Sequence, residues 1–424
     1  MINNYLNKTT YKRVFSLIII FIIFKSIGFV SPLGLQEVIN SDEIFGIFEY
    51  TLNIGQIFTG LFVFGLVGSY GYFIIKNNEN ELKPLFHLHF LVIGSVIFLF
   101  ALFQPKLIGN IYFDSVVLGA VFANQIIISA ILKSENQNNL SVIVDTGVYS
   151  IMFLFFLLCY SGVVEYSQVL WQLLLLLYLF ITTFFYHFKK IKGIKKMKIK
   201  HYRKIYNFGV LILISSPLLV LLTSSSRIYI EHFLDYSYVG IYSFYFRLST
   251  AILVIYRVFG ILMFNKFFSE DHRKLDLYFS LITIIIFIIN FFVVIFLPFI
   301  LDGRYNKWDS IDEDYSNLLL LCGINVSLWI NSALLEPIIQ RENQVKSYIL
   351  ILLLLLFSLI GALLLYDKIF TTTIYSIIII NSVLIYVFFI AQYILLSKKK
   401  IFFNKTLIVN IGLGFIYAII LITL

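Results

Sequence analysis

Residues 277–299 read LYFSLITIIIFIINFFVVIFLPF, an unbroken run of uncharged and mostly apolar side chains. A helix rises about 1.5 Å per residue, so about 20 apolar residues cross the hydrocarbon core of a bilayer. The run is long enough, and others like it fill the chain. Working outward, spans are expected at about 13–33, 45–75, 84–103, 109–132, 140–160 and 166–188. After a basic stretch they resume at about 205–232, 238–264, 275–299, 315–337, 347–366, 370–396 and 404–424. Of 424 residues, 60% are hydrophobic and 13% charged. Ordinary globular domains are about 25% charged, and a soluble fold could not hide this much apolar surface. The sequence therefore predicts an all-α polytopic membrane protein with no room for a soluble catalytic domain. Its first run lacks a small-residue cleavage site and leads straight into another span, so it reads as a retained helix.

Lys and Arg accumulate in cytoplasmic loops, which sets the orientation. With the N-terminus inside, the inner segments hold Lys8, Lys12, Arg13, Lys76, Lys83, Lys133, Arg273, Lys274, Arg341, Lys346 and Lys398–Lys400. They also hold the run from Lys189 to Lys204. The outer loops carry only Lys106, Arg304, Lys307 and Lys368, with the acids Asp42, Glu43, Asp309, Asp312, Glu313 and Asp314. This bias accounts for most of the net charge of +9, so no nucleic-acid partner is expected. Cys159 and Cys322 lie in apolar runs and form no disulfide framework. The six histidines are scattered; His87 and His89, two apart, point to different helix faces and cannot share a metal. Neither a metal nor a cofactor is expected.

The basic stretch divides the first twelve spans six and six, and an even number per half keeps both halves in one orientation, as in parallel repeats. The expected organisation is an N-terminal six-helix lobe at 1–188, a basic cytoplasmic linker at 189–204, a C-terminal six-helix lobe at 205–396 and an extra transmembrane helix at 397–424. The second span opens Phe45-Gly46-Ile47-Phe48 and the eighth Val239-Gly240-Ile241-Tyr242, an echo at matching places in the two halves.

Charge at membrane depth is costly and turns toward water or a partner. Candidates are Lys25, Glu49, Asp114, Asp145, Arg227, Arg247, Arg257 and Glu336. Arg257, Asp145 and Glu336 lie near inner ends of their spans. Asp114 and Arg227 lie near outer ends, Arg227 with Glu231 one turn away. Lys25 and Arg247 lie deeper. Steps of three and four place Arg247 on a small, polar stripe with Gly240, Ser243 and Thr250, and place Glu49, Asn53 and Gln56 on a similar stripe with Gly46 and Gly60. In the Gly46/Gly240 register Asn53 is the repeat counterpart of Arg247. Together these residues predict a cationic cavity whose outer part is lined by Lys25, Arg227 and Arg247, suited to a phosphate-bearing substrate. The alternative is that the same residues pin helices together by interhelical hydrogen bonds, which are worth only about 1 kcal/mol each.

The stretch Ser224-Ser225-Ser226-Arg227-Ile228-Tyr229-Ile230-Glu231-His232-Phe233-Leu234, then Tyr238-Val239-Gly240-Ile241-Tyr242-Ser243 and Phe246-Arg247-Leu248-Ser249, resembles the seventh-to-eighth helix region of bacterial polysaccharide flippases. These are the O-antigen and capsule repeat-unit transporters of the multidrug/oligosaccharidyl-lipid/polysaccharide exporter superfamily. Phe264-Asn265-Lys266-Phe267-Phe268 resembles the close of that helix, and Ser41-Asp42-Glu43-Ile44-Phe45-Gly46-Ile47-Phe48 loosely echoes the first-to-second helix pattern. The resemblance implies two six-helix lobes alternating between inward-open and outward-open states in the bacterial cytoplasmic membrane. It implies an undecaprenyl-pyrophosphate-linked oligosaccharide as cargo, H+ or Na+ as coupling ion, and room for polysaccharide assembly proteins beside the membrane lipids. It places Arg247, Arg227 and Lys25 where the pyrophosphate is held. Thirteen spans depart from the family's usual twelve or fourteen. A multidrug exporter of the same superfamily shares the architecture and differs in its lining. A membrane polysaccharide polymerase would need a larger outer loop than 300–314, which holds Asp302, Arg304, Asp309 and Asp312.

Overall fold

The structure, a computed structural model, describes residues 8–39, 41–135, 137–191, 199–301, 315, 317–342 and 344–423. Lys192, Lys195, Lys196 and Lys198 of the basic stretch and the charged residues of the 302–314 loop lie outside them. Among the described residues the regular elements are helices: α1 Lys8–Ile39, α2 Asp42–Val63, α3 Lys83–Phe103, α4 Ile111–Ser134, α5 Asn138–Asp145, α6 Gly147–Tyr160, α7 Gln168–Phe180 and α8 Ile199–Thr223. They continue as α9 Ser226–Phe233, α10 Tyr236–Ser249, α11 Leu253–Ser269, α12 His272–Leu301, α13 Leu318–Arg341, α14 Val345–Ile369, α15 Ile374–Ser397 and α16 Asn404–Thr423.

The chain is an all-α polytopic membrane protein. Among the described residues ten helices are long and apolar enough to cross a bilayer, and eleven if the bent pair α5–α6 is counted as one. Outward faces are apolar: α12 exposes Leu277, Leu281, Ile284, Ile285, Ile288, Phe291 and Phe292, a stripe that only lipid can cover.

Several expected spans are interrupted. The second stops at Phe64 and Gly65, both left-handed (φ 51° and 66°), before a short helix Leu66–Tyr70 and a wide π turn Gly71–Lys76. The fifth bends by 53° between α5 and α6. The seventh is split into α8 and α9, and the eighth into α10 and α11 by a 3-10 turn at Thr250–Ile252. Hydropathy reports composition along the chain and is blind to these changes of direction.

The helices form two compact units. Unit 1 is Met1–Asn40 with Thr51–Pro217, and unit 2 is Ser41–Tyr50 with Leu218–Leu424. Besides taking the last helix into unit 2, these bounds differ from the expected lobes at two places, and packing explains one directly. The first half of α8 is tied into unit 1: Lys204 Nζ donates to both oxygens of Glu79 at 2.7 and 2.6 Å, and Ser69 Oγ donates to the Ile205 carbonyl at 3.4 Å. The His89 ring meets the Tyr206 hydroxyl at 2.8 Å, and the backbones of Gly65 and Gly209 touch. The Lys204 ammonium holds the Glu79 carboxyl below the usual carboxylate range. The other difference is the opening of α2, taken up below.

Each unit is built around one deeply buried helix. In α4, 78% of the apolar window is buried, and in α13, 83%, against 11% in α12. Both central helices are the fourth expected span of their half, which favours a repeated arrangement. Asn110 caps α4 by accepting from the Tyr112 and Phe113 amides at 3.0 and 3.4 Å.

The last helix is held by a residue distant in sequence. Asp276 of α12 accepts from the Lys405 and Thr406 amides at 3.0 and 2.9 Å and from Thr406 Oγ1 at 2.8 Å, closing the start of α16. Deeper, Asn331 Nδ2 donates to Asn410 Oδ1 at 2.6 Å and Thr283 Oγ1 donates to Asn331 Oδ1 at 3.0 Å. The apolar part of α16, Asn404–Ile420, is shorter than the other spans. Asp276→Ala strands two helix-start amides and is expected to lower stability by about 2 kcal/mol. Thermal unfolding in detergent, with proteolysis after Lys405, measures this; wild-type melting and wild-type protection of α16 would remove the cap from the account.

Candidate functional site: two arginines on a buried carboxylate

The helix break at Thr223–Ser225 starts the site. Hydroxyls there bond back to their own helix: Thr223 to the Leu219 carbonyl at 2.8 Å, and Ser224 and Ser225 to Val220 at 3.2 and 3.0 Å. Such bonds compete with the helical ladder, and the run ends α8 and begins α9 in a new direction. Asn381 of α15 secures the break, donating to the Leu222 carbonyl at 2.8 Å and accepting from Ser226 Oγ at 3.4 Å. Asn325 Nδ2 supports it, donating to Asn381 Oδ1 at 2.9 Å.

The second residue of α9 is Arg227, and its side chain is 5% exposed. Its Nε donates to Ser243 Oγ of α10 at 2.8 Å, and its guanidinium lies 4.8 Å from the Phe246 ring centre and 5.7 Å from that of Tyr242. Cation–π contacts of this kind fix the guanidinium plane. Its Nη2 reaches Glu49 Oε2 at 3.0 Å. Arg247, one turn beyond Ser243 on α10, forks onto the same carboxylate: Nε to Oε1 and Nη2 to Oε2, both at 3.0 Å. Glu49 is wholly buried and Arg247 is 14% exposed.

Glu49 gets there because the opening of α2 belongs to unit 2. Gly46 and Gly240 let the two helices cross backbone to backbone. A Cβ on Gly46 would strike the Tyr236 carbonyl, and one on Gly240 the Asp42 carbonyl. Tyr50 then meets Tyr236 edge-on, ring centres 5.5 Å apart. The two glycines that echo one another in sequence are thus in direct contact.

The expected site residues separate into two groups. Glu49, Arg227 and Arg247 come together in unit 2. Lys25 lies in unit 1, 7% exposed, where its Nζ is 2.7 Å from Asp145 Oδ2 at the α5–α6 bend. Asn53 is buried and Gln56 half-buried further along α2, among residues that group with unit 1. The ion pair given to Arg227 is with Glu49, far off in sequence, where Glu231 one turn away on the same helix was the candidate partner. Asp145, placed near the inner end of its span, is the partner of Lys25. The sequence also missed a buried contact in unit 1, His87 Nδ1 to His187 Nδ1 at 2.9 Å, where a π turn Ile181–His187 carries the second ring. Nothing local in the sequence signals a pair one hundred positions apart.

Both lone-pair faces of the carboxylate are used, and the three groups together carry one net positive charge. An apolar trio of equal volume would hold the fold about as well, so the distinctive offering of the site is its pair of guanidinium forks. Such forks match the planar oxygens of carboxylate and phosphate.

A scan against protein families found no match for the chain, and neither did a search of curated proteins. Among solved structures it is similar to the outward-facing conformation of a multidrug resistance MATE family transporter of the MOP superfamily. The TM-score is 0.53 at 15% identity, covering 91% of this chain and 96% of that one. The chain shares the overall fold of that solved structure. At this identity the likeness concerns the path of the backbone, and the arginine pair is read from this chain alone.

Proposed function

We propose that the chain is a membrane transporter of the MOP superfamily that moves undecaprenyl-pyrophosphate-linked oligosaccharide repeat units from the inner to the outer leaflet of the bacterial cytoplasmic membrane, for O-antigen or capsule assembly. The observation that carries this reading is the pair Arg227, buried, and Arg247, largely buried, side by side in a membrane body with their forks on one carboxylate. Two such forks can hold a diphosphate, and the apolar surroundings strengthen that attraction. The shared fold and the sequence resemblance around Ser224–Ser249 support the same reading. Lys25, Asn53 and Gln56 remain proposed contributors to substrate binding. H+ or Na+ is the proposed coupling ion, and the N-terminus is proposed to be cytoplasmic.

A multidrug exporter is the second reading, favoured by what the similar solved structure is. Arg247→Ala tests both. The flippase reading expects surface polysaccharide to fall by about 100-fold, the scale for losing a bidentate charged contact with a buried ligand, at unchanged protein level. Lipid-linked repeat units should then accumulate on the inner leaflet. Arg247→Lys keeps the charge without the fork and should recover only part of the output. Normal surface polymer in Arg247→Ala would end the flippase reading. Altered drug susceptibility with unchanged polymer would establish the exporter, and a change of polymer chain length alone would point to a polymerase.

A further inference from the structure

Glu49 occupies the position that a substrate anion would need. We infer that Glu49 is an internal stand-in for the phosphate: an anion bearing a diphosphate takes over the Arg227 and Arg247 forks, and Glu49 withdraws as it binds. This rests on the reading of the arginine pair as an anion site, and adds how that site is kept closed when empty.

Three observations carry it. The carboxylate makes bonds a phosphate would make: two from Arg247 and one from Arg227, each 3.0 Å long. Arg247 is also the most exposed member of the trio. Glu49 is fully buried while Arg247 keeps 14% of its side chain exposed, so an incoming anion meets the Arg247 edge first. Finally, Arg227 is positioned by groups that do not depend on Glu49, namely Ser243 Oγ and the faces of Phe246 and Tyr242. It stays in place when the anion changes, so the receiving fork is prepared in advance.

Electrostatics makes the exchange concerted. If Glu49 left alone, the two guanidinium groups would lose the carboxylate they share in a largely buried place, which is unfavourable. Glu49 therefore leaves when another anion arrives, and a diphosphate brings more oxygens and more charge than one carboxylate. Glu49 sits one turn beyond the Gly46–Gly240 crossing. Its withdrawal loosens residues 42–50 from α10, so binding at the arginines is transmitted to the opening of α2 through this one side chain.

The test measures inorganic pyrophosphate binding to the purified full chain by calorimetry, comparing wild type, Glu49→Gln and Glu49→Gln with Arg247→Ala. Removing the competitor's charge should tighten pyrophosphate binding about 10-fold or more, about 1.4 kcal/mol, and the added Arg247→Ala should abolish the gain. Hydrogen exchange of amides 42–50 in the wild type should rise on adding pyrophosphate. If Glu49→Gln binds equally or more weakly while Arg247→Ala still weakens binding, Glu49 is a co-ligand: the inference falls and the anion site stands. If none of the three chains binds pyrophosphate, the anion site falls as well. Should Glu49→Gln not elute as a folded species, Glu49→Asp replaces it. The shorter carboxylate grips the forks less well and should raise affinity by a smaller factor; unchanged or weaker binding there overturns the inference.

Discussion

Glu49→Ala is expected to destabilise unit 2 by about 3–5 kcal/mol, the range for removing one partner of a buried ion pair. The reason lies in what remains. Arg227 and Arg247, 5% and 14% exposed on their side chains, would lose the carboxylate they share. Two like charges held against one position repel, and burial weakens the screening that water would give. In detergent the change should appear as a fall in melting temperature of about 6 °C or more. Pyrophosphate should restore part of the loss, because an anion that binds only the folded form stabilises it. Glu49→Ala combined with Arg227→Met and Arg247→Met should recover most of it, since an apolar trio needs no counter-charge. A melting point within about 2 °C of wild type for Glu49→Ala would mean that the arginines find other compensation.

Gly240→Ala is the second large effect. Helices α2 and α10 cross with backbone against backbone, and a methyl group on Gly240 would meet the Asp42 carbonyl, its carbon and its Cα. No flexible side-chain end can swing aside there, so a helix has to move. Overpacking of this kind costs about 3 kcal/mol, the upper part of the usual range. The movement would also carry Glu49 away from Arg247, so the two effects compound. Gly46→Ala should behave alike, because its methyl would fall on the Tyr236 carbonyl. Gly361 of α14, with no atom near its missing Cβ, provides the control: Ala there should be neutral or stabilising by about 0.5–1 kcal/mol. Equal melting of Gly240→Ala and Gly361→Ala would remove the close crossing from the account.

The membrane fold was legible because lipid demands apolar length, and runs such as 277–299 advertise it without tertiary information. The polar stripes of α2 and α10 were legible too, from their helical spacing. Their pairing was not. Register made Asn53 the repeat counterpart of Arg247, whereas contact joins Arg247 to Glu49, one helical turn away from Asn53 and 198 positions from the arginine. Two polar faces can be read from one helix each, but which residues meet depends on where the helices cross. The serine run at Ser224–Ser226 entered only as part of a sequence resemblance, and it proved to be the break that aims Arg227. That outcome depends on Asn381, more than 150 positions later. The unit boundaries were hidden for a similar reason, since hydropathy shows where a span lies and not which neighbours it packs against.

The allocation of Ser41–Tyr50 to unit 2 has a consequence for the inheritance of this architecture. The chain passes from one unit to the other after residues 40, 50 and 217, and so changes units three times. A gene cut at the basic stretch would not yield two self-sufficient halves. The later half would carry Arg227 and Arg247 without their carboxylate, and the earlier half would carry Glu49 with nothing to neutralise. Any split or shuffling of this architecture that keeps the arginine site has to carry residues 41–50 with the later half.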